Sequence, residues 1–216
     1  MALSYADANP GTEVQVVSMA PEEASATIRK GLAMGAASAL QVVDPALAGA
    51  DLGVTATVLA AAVRRAGFDL VITGNLSADG SGGVIPAMLA EHLGVPQATA
   101  LSSVTISASE VSGTRATDGG VAQVTAALPA VISITEALPD ARFPNFKGIM
   151  AAKKKPFETV SLADLDVDID PAAAPQSILT QVSEKPARGA GVKITDEGDA
   201  GEKLAAYLLS LIHISE

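Results

Sequence analysis

Segments typical of strands and of helices alternate from residue 12 to residue 94, and no other feature constrains the fold as much. The strand segments are rich in β-branched residues and cover 12–18, 39–44 and 69–74. The helix segments have proline or glycine as boundary signals and cover 21–34, 54–66 and 84–94. The strand at 69–74, DLVITG, is apolar on both faces, which is typical of a central parallel strand covered by helices. The pattern predicts an open, mostly parallel α/β sheet with flanking helices and right-handed crossovers.

The pattern changes after Pro96. Segments of alternating polarity favour an antiparallel meander and cover 102–109, 111–117 and 121–127. Asp118-Gly119-Gly120 predicts a hairpin turn, and a buried strand is expected at 130–135.

Beyond residue 160 the chain is acidic and rich in proline and alanine until a last helix, GEKLAAYLLSLI, follows Asp199. The apolar face of this helix must pack on the domain or on a partner, and it comprises Leu204, Tyr207, Leu208 and Leu211. We therefore predict an α/β domain at 1–160 and a C-terminal arm with a helix at 161–216.

The composition argues against several classes of protein. A net charge of -10 disfavours nucleic acid, which requires clustered cations, and 3% aromatic residues leave little for base stacking. The absence of cysteine excludes disulfides and thiolate chemistry. No apolar run approaches the roughly 20 residues of a membrane span, and the opening MALSYADANP has no secretory pattern. We expect a cytoplasmic protein that is not embedded in a membrane.

The loop between Gly74 and Val84 is the main candidate site, because ligands bind where a central parallel strand leads into a helix. Glycines let the backbone approach a ligand, and the amides at a helix start favour a phosphate. Serine hydroxyls could add donors, and Asp79 could orient the turn. The loop matches neither of the common phosphate-loop motifs, so a flexible Gly/Ser connection is an equal alternative.

Side-chain catalysis is not predicted. His92 lies in a helix and His213 in the tail, and neither has a spaced partner for a metal or a triad. The serines have no obvious base, and carboxylate pairs such as Glu22-Glu23 are typical of helix starts. The chain is therefore not expected to be an enzyme in its own right.

Several motifs occur together in a known order. They are TEVQVVSMAP, LAMGA at 32–36, DLVITGNLSADGSGGVIPAMLAEHLGVP, and the block from Arg115 to Lys155 with RATDGG, LPA and ARFPNFKGIMAAKKK. Over residues 9 to about 209 the chain resembles the beta subunit of electron-transfer flavoprotein. The resemblance implies a Rossmann-like adenine-nucleotide-binding domain. It also implies a heterodimer with an alpha subunit that holds FAD, and a C-terminal arm that docks on that subunit. The heterodimer would carry electrons from acyl-CoA and related dehydrogenases of fatty acid β-oxidation to a quinone oxidoreductase.

The same resemblance implies a structural AMP in this subunit. Its phosphate would lie at the glycine-rich loop, on Gly74, Asn75, Leu76, Ser77, Asp79, Ser81, Gly82, Gly83 and Val84. Met19 matches a position whose backbone reaches the adenine side.

The segment at 140–160 resembles the family's recognition loop for dehydrogenases. Phe146 stands at the anchor position, where relatives often carry leucine, with Arg142, Ile149 and Met150 beside it. A buried anchor among weak contacts suits a transient complex. The alternative is that Phe143 and Phe146 pack under their own loop while 153–155 solvate a helix end.

The chain departs from the family pattern at both ends. Relatives have a further strand and helix before the position of Met1, and the terminal SLIHISE does not match them. The expected consequences are exposed apolar sheet edges and weaker AMP binding. Two other functions stay open: a bifurcating form with a second FAD in place of AMP, and a stand-alone nucleotide module of the universal-stress type. Such modules have no counterpart of RFPNFKGIMAAKKK.

Overall fold

The structure is a computed structural model that describes residues 1–78, 80–167, 181, 183–191 and 193–212, without the side chains of the last two. The chain forms two compact units, Met1–Ile178 and Leu179–Glu216. The predicted domain boundary after residue 160 stays a prediction, because the residues around the division between the units lie outside the described ranges.

The strands of the described residues form three sheets of three strands each. One parallel sheet joins, in spatial order, β1 (Gln15–Met19), β2 (Ser38–Val42) and β9 (Phe157–Val160). A second parallel sheet joins β3 (Leu70–Gly74), β8 (Ala130–Ile134) and β4 (Gln97–Leu101). An antiparallel sheet joins β5 (Thr105–Ile106), β6 (Glu110–Thr117) and β7 (Gly120–Ala127).

The helices of the described residues are α1 (Ala2–Ala8), α2 (Ser25–Met34), α3 (Leu52–Ala66), α4 (Ile85–Leu93), α5 (Phe146–Ala152) and α6 (Ala200–Ile212). Their ends follow the chemistry of the flanking residues. The side chain of Asp51 accepts a hydrogen bond from the amide of Val54 at the start of α3. Helix α4 ends at Gly94, which adopts the left-handed conformation that glycine tolerates best.

Helix α3 packs against both parallel sheets. Its buried Val58 belongs to a cluster with Leu40 of β2 and, at the margin, Val17 of β1. Its buried Ala60 belongs to a separate cluster with Val131 of β8. One helix therefore covers part of both sheets, and the two clusters that contain Val58 and Ala60 lie beneath it.

The parallel strands form two sheets instead of the single open sheet that the sequence pattern predicts. β1 and β3 are edge strands, and neither has a strand on its other side within the described residues. Both are half-buried rather than fully buried, because α3 covers one face while one ladder edge of each stays unpaired. The predicted class, mixed α/β with mostly parallel strands and flanking helices, is confirmed.

The antiparallel sheet also agrees with the sequence. Residues Asp118 and Gly119 form the two-residue turn between β6 and β7, with Thr117 opposite Gly120. Gly113 of β6 lies so close to the backbone of Ser103 that a Cβ atom there would overlap the Ser103 carbonyl oxygen. This sheet is therefore fixed to the end of β4 by a contact that only glycine permits.

Of the helices and strands named above, α1, β4 and β9 were not predicted, and α5 was implied only by the alternative in which 153–155 solvate a helix end. Strand β4 follows Pro96 and contains an irregularity between Ala98 and Leu101, where Ala100 has φ 57°. Strand β9 has four residues and α5 has seven, so both are shorter than the window in which a repeating apolar pattern can be recognised. Such short elements depend on their neighbours in space rather than on local pattern.

The second unit contains α6, and the predicted helix after Asp199 is confirmed. Lys203 Nζ lies 2.9 Å from Asp199 Oδ1 across its first turn. Leu204, Tyr207 and Leu208 are exposed. The expected packing of this face on a partner stays a prediction, and residues 213–216 lie outside the described residues.

Candidate functional site

The candidate loop leaves the carboxyl end of β3 and enters α4, as the sequence predicts. Gly74 is exposed at the end of the strand, and Val84 directly precedes the helix. No described side chain caps the N-terminus of α4 with a hydrogen bond. The first turn of a helix has amides without intrahelical acceptors, so this end can bind an anion.

The shape of the loop is set by hydrogen bonds between its own residues and by their backbone conformations. The hydroxyl of Ser77 accepts a hydrogen bond from the amide of Ser81 at 3.2 Å, and the Ser81 hydroxyl donates to the Ser77 carbonyl at 3.1 Å. Ser81 and Gly83 have φ values of 49° and 64°, in the left-handed region. A Cβ atom on Gly83 would lie 2.9 Å from Cδ2 of the exposed Leu76, a side chain that can move aside, so the backbone conformation favours glycine there more than space does.

Gly82 differs from Gly83 in having room for a side chain. A Cβ atom on Gly82 would lie 3.8 Å from Cδ1 of Leu52, which is ordinary van der Waals contact. Leu52 is the first residue of α3, so the loop lies against the N-terminus of that helix. Packing within this chain does not explain glycine at position 82, whereas close approach of a ligand would.

The base of the loop is tied to the second parallel sheet by a buried serine. Ser133 of β8 is 1% exposed, and its hydroxyl accepts from the amide of Ala100 at 2.7 Å. The same hydroxyl lies 3.5 Å from Oδ1 of Asn75, toward which it donates. Sequence reasoning missed Ser133, although a serine between two isoleucines of AVISIT was a usable signal, because buried polar groups need partners.

Met19 lies at the carboxyl end of β1, opposite Val42. It is half-buried against the cluster that contains Val58 and, at its margin, Val54 of α3. Met19 and the loop therefore both pack near α3, although no described hydrogen bond joins Met19 to the loop. Asp79, the remaining predicted loop residue, lies outside the described residues.

A second surface is formed by the segment before and within α5. Its apolar side chains point to solvent: Phe143 is 93% exposed, Phe146 79%, Ile149 45% and Met150 49%. The alternative in which Phe143 and Phe146 pack under their own loop is wrong, because neither ring is covered. Arg142 lies at the margin of this surface and forms an ion pair with Asp7 of α1 at 2.5 Å.

A concave surface at the C-terminal end of α3 has four charged side chains in its lining, and three of them bind partners within the chain. Its volume is about 440 Å³, and its lining residues are Thr57, Ala61, Arg64, Arg65, Asp164, Leu165, Asp166 and Val167. Arg65 forms an ion pair with Glu158 at 2.6 Å, which raises the pKa of the guanidinium. Arg64 donates to the carbonyl of His92. These bonds join α3 to its neighbours, which is a structural role, so the candidate loop is the better site for a ligand.

Asp164 also has its partners within this region. Hydrogen bonds from the hydroxyl and then the amide of Ser161 lower the pKa of the Asp164 carboxyl, and the charge of Arg65 contributes less. Within the described ranges, no group of three or more His, Cys, Asp or Glu residues could hold a metal ion. In the same part of the chain, no helix is long and apolar enough to cross a membrane.

Comparison with known proteins decides the family. Residues 1–165 match the family model described as "Electron transfer flavoprotein domain". The chain belongs to the electron transfer flavoprotein family. It is 45% identical over 201 residues to the electron transfer flavoprotein subunit beta of Mycobacterium leprae, which covers 91% of this chain and 75% of the relative.

More distant members of the family extend the same match. The subunit beta of Syntrophomonas wolfei is 34% identical over 203 residues, which cover 94% of this chain and 77% of the relative. A caffeyl-CoA reductase-Etf complex subunit of Acetobacterium woodii is 32% identical over 213 residues, covering 97% and 80%. The predicted resemblance to electron transfer flavoprotein beta subunits is confirmed.

Proposed function

We propose that this chain binds a structural AMP at the loop 74–84 and works as the beta subunit of an electron transfer flavoprotein heterodimer. An alpha subunit would hold the FAD that accepts and releases electrons. The heterodimer would carry electrons from acyl-CoA and related dehydrogenases of fatty acid β-oxidation to a quinone oxidoreductase, with the chain in the cytoplasm. The observation that carries the proposal is the uncapped N-terminus of α4 behind the left-handed turn at Ser81 and Gly83.

The chemistry of the loop favours a phosphate over other groups. A phosphate is an anion with several acceptor oxygens, and the first turn of α4 offers amides and the positive end of the helix dipole. Ser77 adds an exposed hydroxyl, whereas the Ser81 hydroxyl already donates to the Ser77 carbonyl and would have to turn to reach a phosphate. Described residues Gly74 to Val84 include no cation, so main-chain amides would carry most of the binding. The adenine side would lie toward Met19.

The redox chemistry is assigned to the partner subunit. The chain has no cysteine, so it offers no thiol-disulfide couple of its own. A flavin supplies one- and two-electron chemistry that amino-acid side chains do not. This chain would then contribute the nucleotide-binding domain and a surface for the dehydrogenase.

The surface for the dehydrogenase is the patch of Phe146, Ile149 and Met150. Their side chains are 79%, 45% and 49% exposed, and exposed large apolar groups that cluster are typical of interaction sites. An aromatic residue in the middle of such a patch can provide most of the binding free energy of a short-lived complex. Arg142 at the margin would contribute mainly to orientation and association rate.

The experiment is nucleotide extraction from the heterodimer purified after co-expression with the alpha subunit of the same organism. The parent should release AMP and FAD in equal amounts. Gly82→Val should release FAD but little AMP, because its Cβ atom makes only ordinary contacts within the chain while the side chain blocks close approach of a phosphate.

Gly119→Ala is the matched control, since a Cβ atom on Gly119 would meet no atom within 4 Å and the hairpin lies far along the chain from the loop. Equal AMP in Gly82→Val and in the parent would contradict the phosphate assignment. Release of two FAD molecules and no AMP would favour the bifurcating alternative.

A further inference from the structure

Helices α2 and α5 each place a cation on the carbonyl end of the other. Arg29 of α2 donates from Nη1 to the carbonyl of Ala152, the last residue of α5, at 3.3 Å. Lys155, just beyond α5, donates from Nζ to the carbonyls of Leu32 at 3.0 Å and Ala36 at 2.5 Å. The two helix ends are thus capped reciprocally across the contact between α2 and α5.

The bonds to Ala152 and Leu32 reach carbonyls in the last turns of the two helices, and the bond to Ala36 reaches a carbonyl just beyond the end of α2. The last four carbonyls of an α-helix have no intrahelical donor and carry the negative end of the helix dipole. Arg29 and Lys155 are half-buried, whereas the neighbouring cations Lys30, Lys153 and Lys154 are exposed. The earlier interpretation of 153–155 as a solvated group is therefore wrong for Lys155.

Other contacts hold α5 against α2. A Cβ atom on Gly148 would overlap the carbonyl oxygen of Ala33, so the two backbones approach as closely as glycine permits. The guanidinium carbon of Arg29 also lies 4.5 Å from the ring centre of Phe157, which follows α5 in the chain. With seven residues, α5 is too short to be a stable helix by itself, so these contacts with α2 must supply its stability.

We propose that Arg29 and Lys155 are positioning residues for the dehydrogenase surface: they hold α5 on α2, so that Phe146, Ile149 and Met150 form one preformed patch. The inference rests on the proposed function of that patch. A surface ordered before binding loses less conformational entropy when a partner binds. Loss of either cation should therefore weaken binding of the dehydrogenase without changing the electron-transfer step within the bound complex.

The test uses the heterodimer and an acyl-CoA dehydrogenase of the same organism, reduced by its acyl-CoA substrate. Arg29→Met keeps much of the side-chain length but removes the hydrogen bond and the charge. It should raise the KM for the heterodimer about three- to tenfold with kcat unchanged, as a lost helix-end cation would. Arg29→Lys should restore most of the binding. Lys30→Met, which removes an exposed cation of the same helix, is the matched control and should change nothing.

A second measurement separates positioning from general stability. Amide hydrogen exchange in the heterodimer should become faster within α5 in Arg29→Met, while exchange in β6 and β7 stays as in the parent. In a double-mutant cycle with Phe146→Ala, the effect of Arg29→Met on KM should largely disappear, because its effect passes through that surface. Unchanged exchange in α5, or effects on KM that simply add, would overturn the inference.

Gly148→Ala provides an independent route if Arg29→Met does not fold, because it forces α5 away from α2 without removing a charge. It should also raise KM and speed exchange in α5; an unchanged KM in this variant would overturn the inference. Failure of the proposed function has a different signature: Phe146→Ala itself would then leave KM unchanged.

Discussion

The two candidate binding regions are built in opposite ways. The loop 74–84 is a backbone feature, in which Ser81 and Gly83 adopt left-handed conformations and a helix N-terminus stays without a side-chain cap. The surface on α5 is a side-chain feature, in which exposed apolar groups project from a short helix that α2 holds in place. The first suits a small anion that must be enclosed, and the second suits a protein that binds briefly. The two should therefore fail independently when mutated.

Removal of the Phe146 side chain should have the largest effect on dehydrogenase binding and no effect on the nucleotide loop. Phe146→Ala should raise the KM of the dehydrogenase reaction about 30-fold, which corresponds to the roughly 2 kcal/mol of an interface hot spot. AMP and FAD content should stay as in the parent. Steady-state kinetics with nucleotide analysis of the same preparation measure both. Val121→Ala, which removes an exposed apolar group from the β6–β7 hairpin, is the control. An unchanged KM in Phe146→Ala would mean that the Phe146 ring does not contribute to binding of the dehydrogenase.

Removal of the Ser133 hydroxyl should disturb the loop 74–84. Ser133→Ala leaves the amide of Ala100 without its 2.7 Å acceptor in a buried place, at a cost of about 1–3 kcal/mol in the free energy of unfolding. AMP retention should fall because Asn75 loses a contact at the base of the loop, while the KM for dehydrogenase stays unchanged. Denaturant unfolding and nucleotide extraction test this. Ser109→Ala, at an exposed serine whose hydroxyl makes no hydrogen bond among the described residues, is the control, and parental values for both quantities in Ser133→Ala would refute the assignment.

Removal of the α5 N-cap is the counterpart on the dehydrogenase surface. The side chain of Asn145 accepts from the amide of Gly148 at 2.7 Å, and Asn145→Ala should cost about 1 kcal/mol of helix stability. Because the patch would be less ordered, KM should rise up to about fivefold without loss of AMP. Asn145→Asp, which can also cap a helix, should retain the parental KM. An AMP loss in Asn145→Ala would mean that the two regions are coupled.

The smallest effect is expected at Asp164, which belongs to neither region. Ser161→Ala should raise the pKa of the Asp164 carboxyl toward its ordinary value, because the hydroxyl bond is the largest cause of the lowering. A carboxyl with a lowered pKa in the folded state stabilises the fold above its unfolded pKa, near 4, and loses this contribution as the pH falls through the folded pKa. Carboxyl chemical shifts followed by NMR across acidic pH measure the change. A parental titration in the variant would show that Ser161 does not set the pKa.

The sequence predicts the backbone-built loop 74–84 better than it predicts the side-chain surface on α5. The loop could be located from sequence because a buried strand, a glycine-rich segment and a helix follow one another directly, and each acts through its own backbone. Ser133 could not be paired with Asn75 in advance, since the bond joins residues 58 positions apart. Met19 was placed by resemblance alone. The strand–helix order likewise indicated the α/β class but not the division into two parallel sheets under α3.

The α5 surface was much less accessible to sequence reasoning. Its apolar residues were visible, but a seven-residue helix after Pro144 has too few turns to show a period. Its support comes from Arg29, which is 123 positions from Ala152 and looks like any surface cation in the sequence. Short elements that are stabilised by residues distant in sequence are therefore the part of this fold that local sequence patterns do not predict.

The central claim is that one region holds an adenylate and the other binds the dehydrogenase. The most direct test measures AMP content and dehydrogenase KM on the same preparations of the Gly82→Val and Phe146→Ala heterodimers. The account predicts that Gly82→Val loses AMP with an unchanged KM, and that Phe146→Ala keeps AMP with a KM raised about 30-fold. Loss of AMP in Phe146→Ala, or full AMP content in Gly82→Val, would contradict it.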